Sequence, residues 1–577
     1  MRDLNYIRTV LPELERYNKF VSSCATVTTS VYQPIKKLLT DLIVGFMTEG
    51  SQNLDPLTRV GLIKHPRRQQ LLREQKLLVV LMEMSIAPVR DAGHTYGALL
   101  TNPKLQFIWQ LSRLANKLIW HALRKNEKNC LYMIEMGFIS EFQDQLSGQL
   151  GANMVLRELH LDNRSALERL PVLSFKKWVV MIEQAVKDGD IVGKLGLAAT
   201  FLVITCICHG DPIRANQNAI LKYLFGIEKD DAAGKEADAG WVFDPAVRDM
   251  CVCHFKMEKG SKTISVKRVL RNAEGTVRWI TLEDLFGESI VEMSGGVEVA
   301  WSPEKKKREA EKKEMQEYVV GSVQLYANLC NSNRDAQVEI AQVMPQELVQ
   351  TIIMEPKPGC EDLRGACCDL LYRLYIDADG NLPVMPTALT RKFEEIEPEY
   401  ANTLVLRDDY PLPEIKKWVV EFLSANVTPV AALTKIKLNR FVVAVIDLVM
   451  RLLQFGMYTQ VRELEDVMRP LIAILDGTSD IPDAEDVLSE AGSNEKVYVP
   501  GREWRFSELP KNEFLIEAKL KICNILVFVQ VQIYLRTSRL SSLPLCLGMQ
   551  LPFLYLPSPL QLACSNPDMY RHCRTSG

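Results

Sequence analysis

The strongest constraint on the fold is a helical period of apolar residues that recurs along most of the chain. It is clearest in the segment KLNRFVVAVIDLVMRLLQFG (437–456). The residues at the spacing of one helix face are Val442, Val445, Ile446, Val449, Leu452 and Leu453. Arg440, Asp447 and Arg451 fall on the opposite face. This pattern predicts an amphipathic helix of about six turns with one face to bury.

The same period returns in other segments, which short breakers separate. One further stripe consists of Ile108, Leu111, Ala115, Leu118, Ile119 and Ala122. Breakers rich in Pro, Gly and Asp lie at 356–360, 377–383 and 475–483. Ser165 and Glu168 have the spacing of a capping box, which predicts a helix start. Helices joined by short turns, without a strict tetratricopeptide or ankyrin period, predict an all-α, armadillo-like helical solenoid.

One segment departs from the helical pattern. Residues 240–299 are rich in Val, Ile, Thr and aromatic residues and are divided by Gly or charged turns. They predict a small β-rich insertion, and we expect the strands to be confined to it. The charged run that follows, WSPEKKKREAEKKEMQEY (301–318), is typical of the solvated start of a long helix.

These changes of pattern predict five parts in the chain. They are a first armadillo-like helical domain at 1–225, the irregular β-rich insertion at 226–302, a helical continuation at 303–400, further armadillo-like helices at 401–540 and a Pro-rich irregular tail at 541–577.

Composition narrows the class of function. The 577 residues include 69 basic and 72 acidic side chains, so the net charge of -3 does not favour a nucleic-acid partner. Fourteen scattered cysteines favour reduced thiols over a disulfide framework.

The N-terminus lacks the apolar core of a signal peptide. The longest uncharged run, Leu540 to Pro567, contains five prolines, so we expect no membrane span.

Catalytic and metal motifs are sparse. The sequence lacks the phosphate-binding, zinc-protease and nucleophile-elbow motifs, so we expect no enzyme activity and no cofactor. A C-x-C-H pattern, which offers zinc ligands, occurs twice: at Cys206, Cys208 and His209, and at Cys251, Cys253 and His254. The first copy follows an apolar run, and residues two apart on a helix face different sides. We therefore expect buried core cysteines and no metal site.

Basic residues cluster at the ends of two predicted helices. They are Arg67, Arg68, Arg73, Arg124 and Lys125. The first three open a helix predicted over 67–84, and the last two close a helix that begins near Phe107. If the two ends pack side by side, their cations would meet a phosphate. The alternative is that they are ordinary surface charges on solvent faces.

Six blocks, in order along the chain, carry a resemblance to a known family. They are RRQQLLREQKLL (67–78), LRKNEKNCLYM (123–133), LDNRSALE (161–168), CICHGDPIRANQNAI (206–220), DLRGACCDLLYRLYIDAD (362–379) and LLQFGMY (452–458). Together they resemble the cytosolic helical region of intracellular calcium-release channels, the inositol 1,4,5-trisphosphate receptors and ryanodine receptors. The likeness runs from about Arg2 to Arg539, and the sequence beyond it resembles nothing in the family.

The resemblance implies a fold and a role. In that family this region is an armadillo solenoid with an RIH domain, preceded by β-trefoil domains and followed far downstream by a six-helix pore, neither of which we find in this sequence. It implies the regulatory cytosolic part of a ligand-gated calcium channel and receptor at the endoplasmic reticulum or another calcium-store membrane. The implied partners are channel subunits or cytosolic regulatory proteins. The alternative is a standalone armadillo scaffold that binds proteins without channel activity.

The resemblance also places part of an inositol trisphosphate pocket. The residues that match basic ligands of the family are Arg73, Arg124 and Lys125. The positions where the family has Arg, Lys and Tyr hold Pro66, Gln70 and Leu123. Because half of this clamp and the trefoil wall are missing, we expect inositol trisphosphate binding to be weak or lost.

Overall fold

The structure is a computed structural model that describes most of the helical chain. The described residues are 2–23, 27–49, 55–59, 61–170, 172–188, 191–192, 194–226, 252–258, 263–271, 277–287, 293–294, 297–298, 303–355, 359–378, 412–427, 436–458, 461–476 and 513–540. The chain divides into a larger compact unit, residues 1–384 with 404–521, and a smaller unit, residues 385–403 with 522–577.

Thirteen α-helices lie within the described residues of the first part of the chain. They are α1 (Arg2–Ser22), α2 (Thr29–Thr40), α3 (Pro66–Glu74), α4 (Leu77–Arg90), α5 (Tyr96–Thr101), α6 (Gln106–Leu123), α7 (Glu127–Glu135), α8 (Ile139–Asp144), α9 (Ala152–His160), α10 (Arg164–Glu168), α11 (Val172–Asp188), α12 (Leu195–Thr205) and α13 (Arg214–Phe225). Helix α1 packs on α4, α4 on α6, α6 on α9, and α9 on α12. Each helix therefore buries its apolar stripe against a neighbour that is close in chain order.

Nine further α-helices lie within the described residues of the second part. They are α14 (Leu282–Phe286), α15 (Pro303–Cys330), α16 (Arg334–Val343), α17 (Gln346–Met354), α18 (Glu361–Leu371), α19 (Pro413–Ala425), α20 (Ile436–Gln454), α21 (Val461–Asp476) and α22 (Glu513–Leu540). Helix α15 packs on both α12 and α18, and α18 packs on α20. All six apolar residues of the predicted stripe in α20 are buried.

The predicted fold class is confirmed. Helices stack on their neighbours in chain order, and the strands within the described residues form only small antiparallel groups. The long helix predicted to start in the charged run is α15, which begins at Pro303. The five-part division stays a prediction, and the tail at 541–577 lies outside the described residues.

Nine short strands accompany the helices in the described residues. They are β1 (Thr48–Glu49), β2 (Leu62–Ile63), β3 (Ile207–Cys208), β4 (Asp211–Pro212), β5 (Phe255–Met257), β6 (Ile264–Arg271), β7 (Val277–Thr281), β8 (Met293–Ser294) and β9 (Val297–Glu298). The insertion holds a three-stranded antiparallel sheet, β5-β6-β7, and the pair β8-β9. In the sheet Val266 lies opposite Phe255 on one side and Ile280 on the other.

The expectation that strands are confined to the insertion is wrong. The pairs β1-β2 and β3-β4 lie outside it. Each of these strands has two residues, which is too short to show the alternating pattern that identifies a strand in a sequence.

Two helix predictions are also corrected. The single helix predicted over 67–84 is two helices, because Lys76 takes a left-handed conformation with φ 58° and ends α3 before α4 begins. The cap of α10 is Asn163, whose side chain accepts a hydrogen bond from the Ala166 N–H at 3.2 Å. Ser165 lies inside that helix.

Candidate functional site

The basic residue Arg73 lies in the last turn of α3. Pro66 occupies the first turn, where a missing N–H costs nothing, and the preceding His65 is extended. Arg73 is half-buried, and within the described residues its guanidinium has no ion pair or hydrogen bond. Its neighbour Arg68 is engaged, since it forms an ion pair with Asp3 at 2.9 Å. Of the arginines predicted at this helix, Arg73 is therefore better placed than Arg68 to bind an anion.

Arg124 and Lys125 lie in the short connection between α6 and α7. Lys125 reverses the chain with φ 52°, and the Asn126 side chain then caps α7 by accepting from the Asn129 N–H at 3.0 Å. Lys125 is exposed, and its backbone N–H donates to the Glu158 carboxylate at 3.1 Å. The connection thus presents one exposed cation beside one acidic group.

A buried network of amides joins α3 to the end of α6. The Gln69 side-chain amide donates to the carbonyls of His121 and Arg124, both at 2.9 Å. The Asn129 amide donates to the carbonyl of Gln69 at 3.0 Å and to that of Ala122 at 2.9 Å. The carbonyls of His121 and Ala122 lie in the last turn of α6, where intrahelical partners are missing. The α3–α6–α7 junction, defined by these residues, therefore brings the two predicted helix ends together.

Contacts with Trp120 and Gly61 hold the Arg124 guanidinium in place. It lies 4.9 Å from the centre of the Trp120 ring, and it donates to the Gly61 carbonyl at 2.8 Å. Burial lowers the pKa of Arg124, whereas the Glu158 carboxylate acts in the opposite direction. These contacts fix the position of the guanidinium and use part of its hydrogen-bonding capacity.

A second line of cations along α6 was not identified from the sequence. The Lys117 ammonium lies 4.0 Å from the centre of the Trp120 ring, and the Arg113 guanidinium lies 4.5 Å from that of Trp109. Lys117 is only 6% exposed, and burial followed by the charge of Arg124 lowers its pKa to about 8. The signal in the sequence is a cation three or four residues from a Trp, which places the two side chains on one helix face.

His121 adds no charge to this line at neutral pH. It is fully buried, and burial lowers its pKa to about 3, with further contributions from the positive charges of Lys117 and Arg124. Beyond the junction, the buried His160 at the end of α9 has its pKa lowered to about 4 by burial.

A separate groove of about 740 Å³ crosses six helices of the larger unit. Its walls come from α9, α12, α14, α15, α18 and α20. Its charges are mixed: Arg440 forms an ion pair with Asp362 at 2.9 Å, and the Glu314 carboxylate accepts from the Gly196 N–H at 2.7 Å. Burial and then the nearby Glu314 raise the pKa of Glu317 in the same wall. A mixed, partly apolar groove of this kind suits a peptide surface.

Comparison with known proteins identifies the segment that contains the α3–α6–α7 junction. Residues 36–232 match the family model of the RIH domain, described as RYDR_ITPR. The resemblance to inositol trisphosphate receptors and ryanodine receptors is thereby confirmed over these residues. Arg73, Arg124 and Lys125 all lie inside the matched RIH segment.

One solved structure also matches this chain, at low sequence identity. The crystal structure of SYS-1 matches with 9% identity over 88% of this chain and 71% of that chain, at a TM-score of 0.37. The fold described above rests on the helix contacts rather than on this likeness. Among the described helices, none is long and apolar enough to cross a membrane.

Proposed function

We propose that this chain is the regulatory cytosolic helical part of an inositol trisphosphate receptor-like calcium-release channel. In this role it lies on the cytosolic face of the endoplasmic reticulum or another calcium-store membrane and acts as a binding and coupling element rather than as an enzyme. The RIH match supports the family, and the basic residues at the α3–α6–α7 junction support a ligand site within the matched segment.

The observation that carries the proposal is the bonding of Gln69 to the carbonyls of His121 and Arg124. It makes α3 and the end of α6 one rigid unit. From α6, direct helix packing continues through α9, α12, α15 and α18 to α20. Close-packed interiors transmit displacements instead of absorbing them. A ligand that shifts the junction would therefore act on the far helices, which is what coupling to a pore requires.

The ligand that this junction fits is an inositol polyphosphate held by Arg73, Arg124 and Lys125. Each missing charge-assisted contact typically costs about 1.5 to 3 kcal/mol, so binding by the remaining half of the clamp should be weak. We expect a dissociation constant on the order of 10 to 100 micromolar at low salt. The affinity should fall steeply as salt rises, because exposed cations are screened.

Calorimetric titration with inositol 1,4,5-trisphosphate tests the site. Arg73→Gln and Lys125→Asn should each weaken binding, and Asn tolerates the positive φ of residue 125. Gln70→Lys restores a cation that the family has at this position, one turn from Arg73, and should strengthen binding about tenfold. Arg462→Gln, which changes an exposed arginine of α21, is the matched control.

Two results would overturn the ligand assignment. One is the lack of any heat from the wild-type chain at low salt. The other is an equal dissociation constant for the wild type, Arg73→Gln and Gln70→Lys, with melting temperatures showing that all three are folded. Either result would mean that the cations at the junction are ordinary surface charges.

The second candidate function is a standalone protein-interaction scaffold, and the groove across α9, α12, α14, α15, α18 and α20 favours it. Such a protein would bind its partner in the groove and need no pore. Sequencing the complete transcript separates the two proposals. A continuous reading frame with β-trefoils upstream and a six-span pore downstream supports the channel. A complete frame without a pore supports the scaffold.

A further inference from the structure

We propose that Asp162, Cys208 and His209 form a binding site for a zinc ion. Asp162 lies in the turn between α9 and α10, and the other two residues lie in the β3-β4 hairpin. One ligand atom from each, a carboxylate oxygen, a thiol sulfur and an imidazole nitrogen, all lie within 4.8 Å of one another. These are the three kinds of side-chain ligand that zinc takes in proteins.

The backbone holds these side chains in position. His209 and Gly210 form the two-residue turn of the hairpin with φ 49° and 87°, the conformation of a type I′ turn. The His209 N–H donates to the Asp162 Oδ1 at 2.7 Å, and the His209 Nδ1 lies 3.7 Å from the same oxygen. The second carboxylate oxygen, Oδ2, is left to bind an ion together with the imidazole.

The Cys208 thiol supplies an independent observation. Cys208 is only 3% exposed, and in the described part of the chain its sulfur has no hydrogen-bond partner. Cys206, from the same motif, differs because its sulfur donates to the Leu202 carbonyl at 3.2 Å. A thiol is only a weak donor, so its burial without a partner costs little, and the informative observation is where the sulfur lies. Here that donor lies against the carboxylate and the imidazole of the same cluster.

The surroundings of the cluster carry charges of both signs. Asp211 is the direct partner of Cys208 in the antiparallel pair, so both side chains lie on one face of the hairpin. Glu168 is nearby and forms an ion pair with Arg164 at 2.8 Å. When zinc binds, the zinc–sulfur bond forms and the Cys208 proton passes to solvent.

The sequence pattern alone predicted no metal at this motif because Cys206 and Cys208 seemed to share a helix. Helix α12 ends at Thr205, so that argument does not apply to Cys208. The additional ligand comes from Asp162, which lies 47 residues from His209 in the chain. In the second C-x-C-H copy, Cys251 lies outside the described residues.

Titration of the full chain with Zn²⁺ against a competing colour-forming chelator tests the site. We expect one zinc ion per chain. Loss of a residue that only supports a ligand costs about 10- to 100-fold in metal affinity, so loss of a ligand should cost about 100-fold or more. The variants are Cys208→Ala, His209→Asn, which keeps a residue that tolerates positive φ, and Asp162→Asn, which keeps the acceptor for the His209 N–H.

The control is Cys523→Ser, which removes an exposed thiol far from the motif in sequence and should leave zinc affinity unchanged. Co²⁺ gives a second measurement: its thiolate charge-transfer absorption should appear in the wild type and disappear in Cys208→Ala. Melting temperatures measured in excess chelator show whether a variant has lost zinc affinity or has lost its fold. Without metal, His209→Asn should melt at the same temperature as the wild type. A wild type that binds no zinc, or binding unchanged in Cys208→Ala and His209→Asn, would overturn the proposal.

Discussion

The α3–α6–α7 junction and the helix layer around α15 are held together by different interactions. At the junction, buried amides such as Gln69 and Asn129 bond to the last carbonyls of α6. Around α15, glycines bring helix faces close: a Cβ added at Gly321 would lie 2.9 Å from the Cβ of Ala199 in α12. The stability of the first region depends on hydrogen bonds, and that of the second depends on the close packing of helix faces.

The difference follows from helix length. The nine-residue helices α3 and α7 have a large share of their backbone groups in terminal turns, where intrahelical partners are missing. The 28-residue α15 has mostly internal turns, so its stability depends on how closely its face packs. The two regions should therefore respond to different perturbations.

Acid should produce the largest effect and should act through two buried histidines, His121 at the junction and His160 at the end of α9. The pKa values of His121 and His160 are lowered to about 3 and about 4, below the value of about 6.5 in an unfolded chain. Between pH 6.5 and these lowered pKa values, the unfolded state binds more protons than the folded state. The contribution of each histidine to the free energy of unfolding is therefore complete above pH 6.5 and is lost as the pH decreases. Each histidine contributes a loss of up to about 1.4 kcal/mol per pH unit.

Urea unfolding at a series of pH values measures this loss. His121→Leu removes one of the two titrations, so its stability should depend less steeply on pH between about 6 and 4.5. The control is His94→Gln, which changes a less buried histidine. Identical pH slopes for the wild type and His121→Leu would contradict the assignment.

Gly321→Ala tests the close packing around α15. The added methyl would meet Ala199 at 2.9 Å, so we expect a loss of about 1 to 3 kcal/mol in the free energy of unfolding. Gly365→Ala is the matched control, because its Cβ would lie 3.6 Å from that of Ala444, an ordinary contact. This control should be neutral or more stable by up to about 1 kcal/mol. Equal effects of the two variants would disprove the packing argument.

Gln69→Leu tests the amide network at the junction. It removes the donors to two buried carbonyls, so unfolding should become easier by about 1 to 3 kcal/mol. The neighbouring Gln70 is exposed and bonds to Glu74, so Gln70→Leu should change stability by less than about 0.5 kcal/mol. Thermal melting of both variants makes the comparison. The network would be irrelevant to stability if the two melted alike.

The ion pair between Arg440 and Asp362 at the groove should give the smallest effect. The two side chains are 56% and 29% exposed, so Arg440→Gln should cost at most about 1 kcal/mol. The difference from the wild type should shrink at high salt. A loss of more than about 2 kcal/mol in the free energy of unfolding would show that ion pairs stabilise the helices around the groove, much as hydrogen bonds stabilise the junction.

The helices themselves were largely predictable. The stripe in α20 follows from local periodicity, because a helix face is defined by residues three and four apart. The start of α15 follows from the charged run at 301–318. The break at Lys76 was missed, since nothing in the local pattern signals a left-handed residue there. The partial inositol phosphate site came from the family resemblance, and its three residues remain a prediction.

The sequence by itself determined the all-α class, the helix faces and the β-rich insertion, since all three depend on residues that are neighbours in the chain. Only the tertiary structure decided which distant groups meet. Gln69 reaches carbonyls 52 and 55 residues away, and His209 meets a carboxylate 47 residues away. These pairings depend on how the helices pack and on the conformation of the loops between them. The type of a single residue does not indicate which distant residue it will contact.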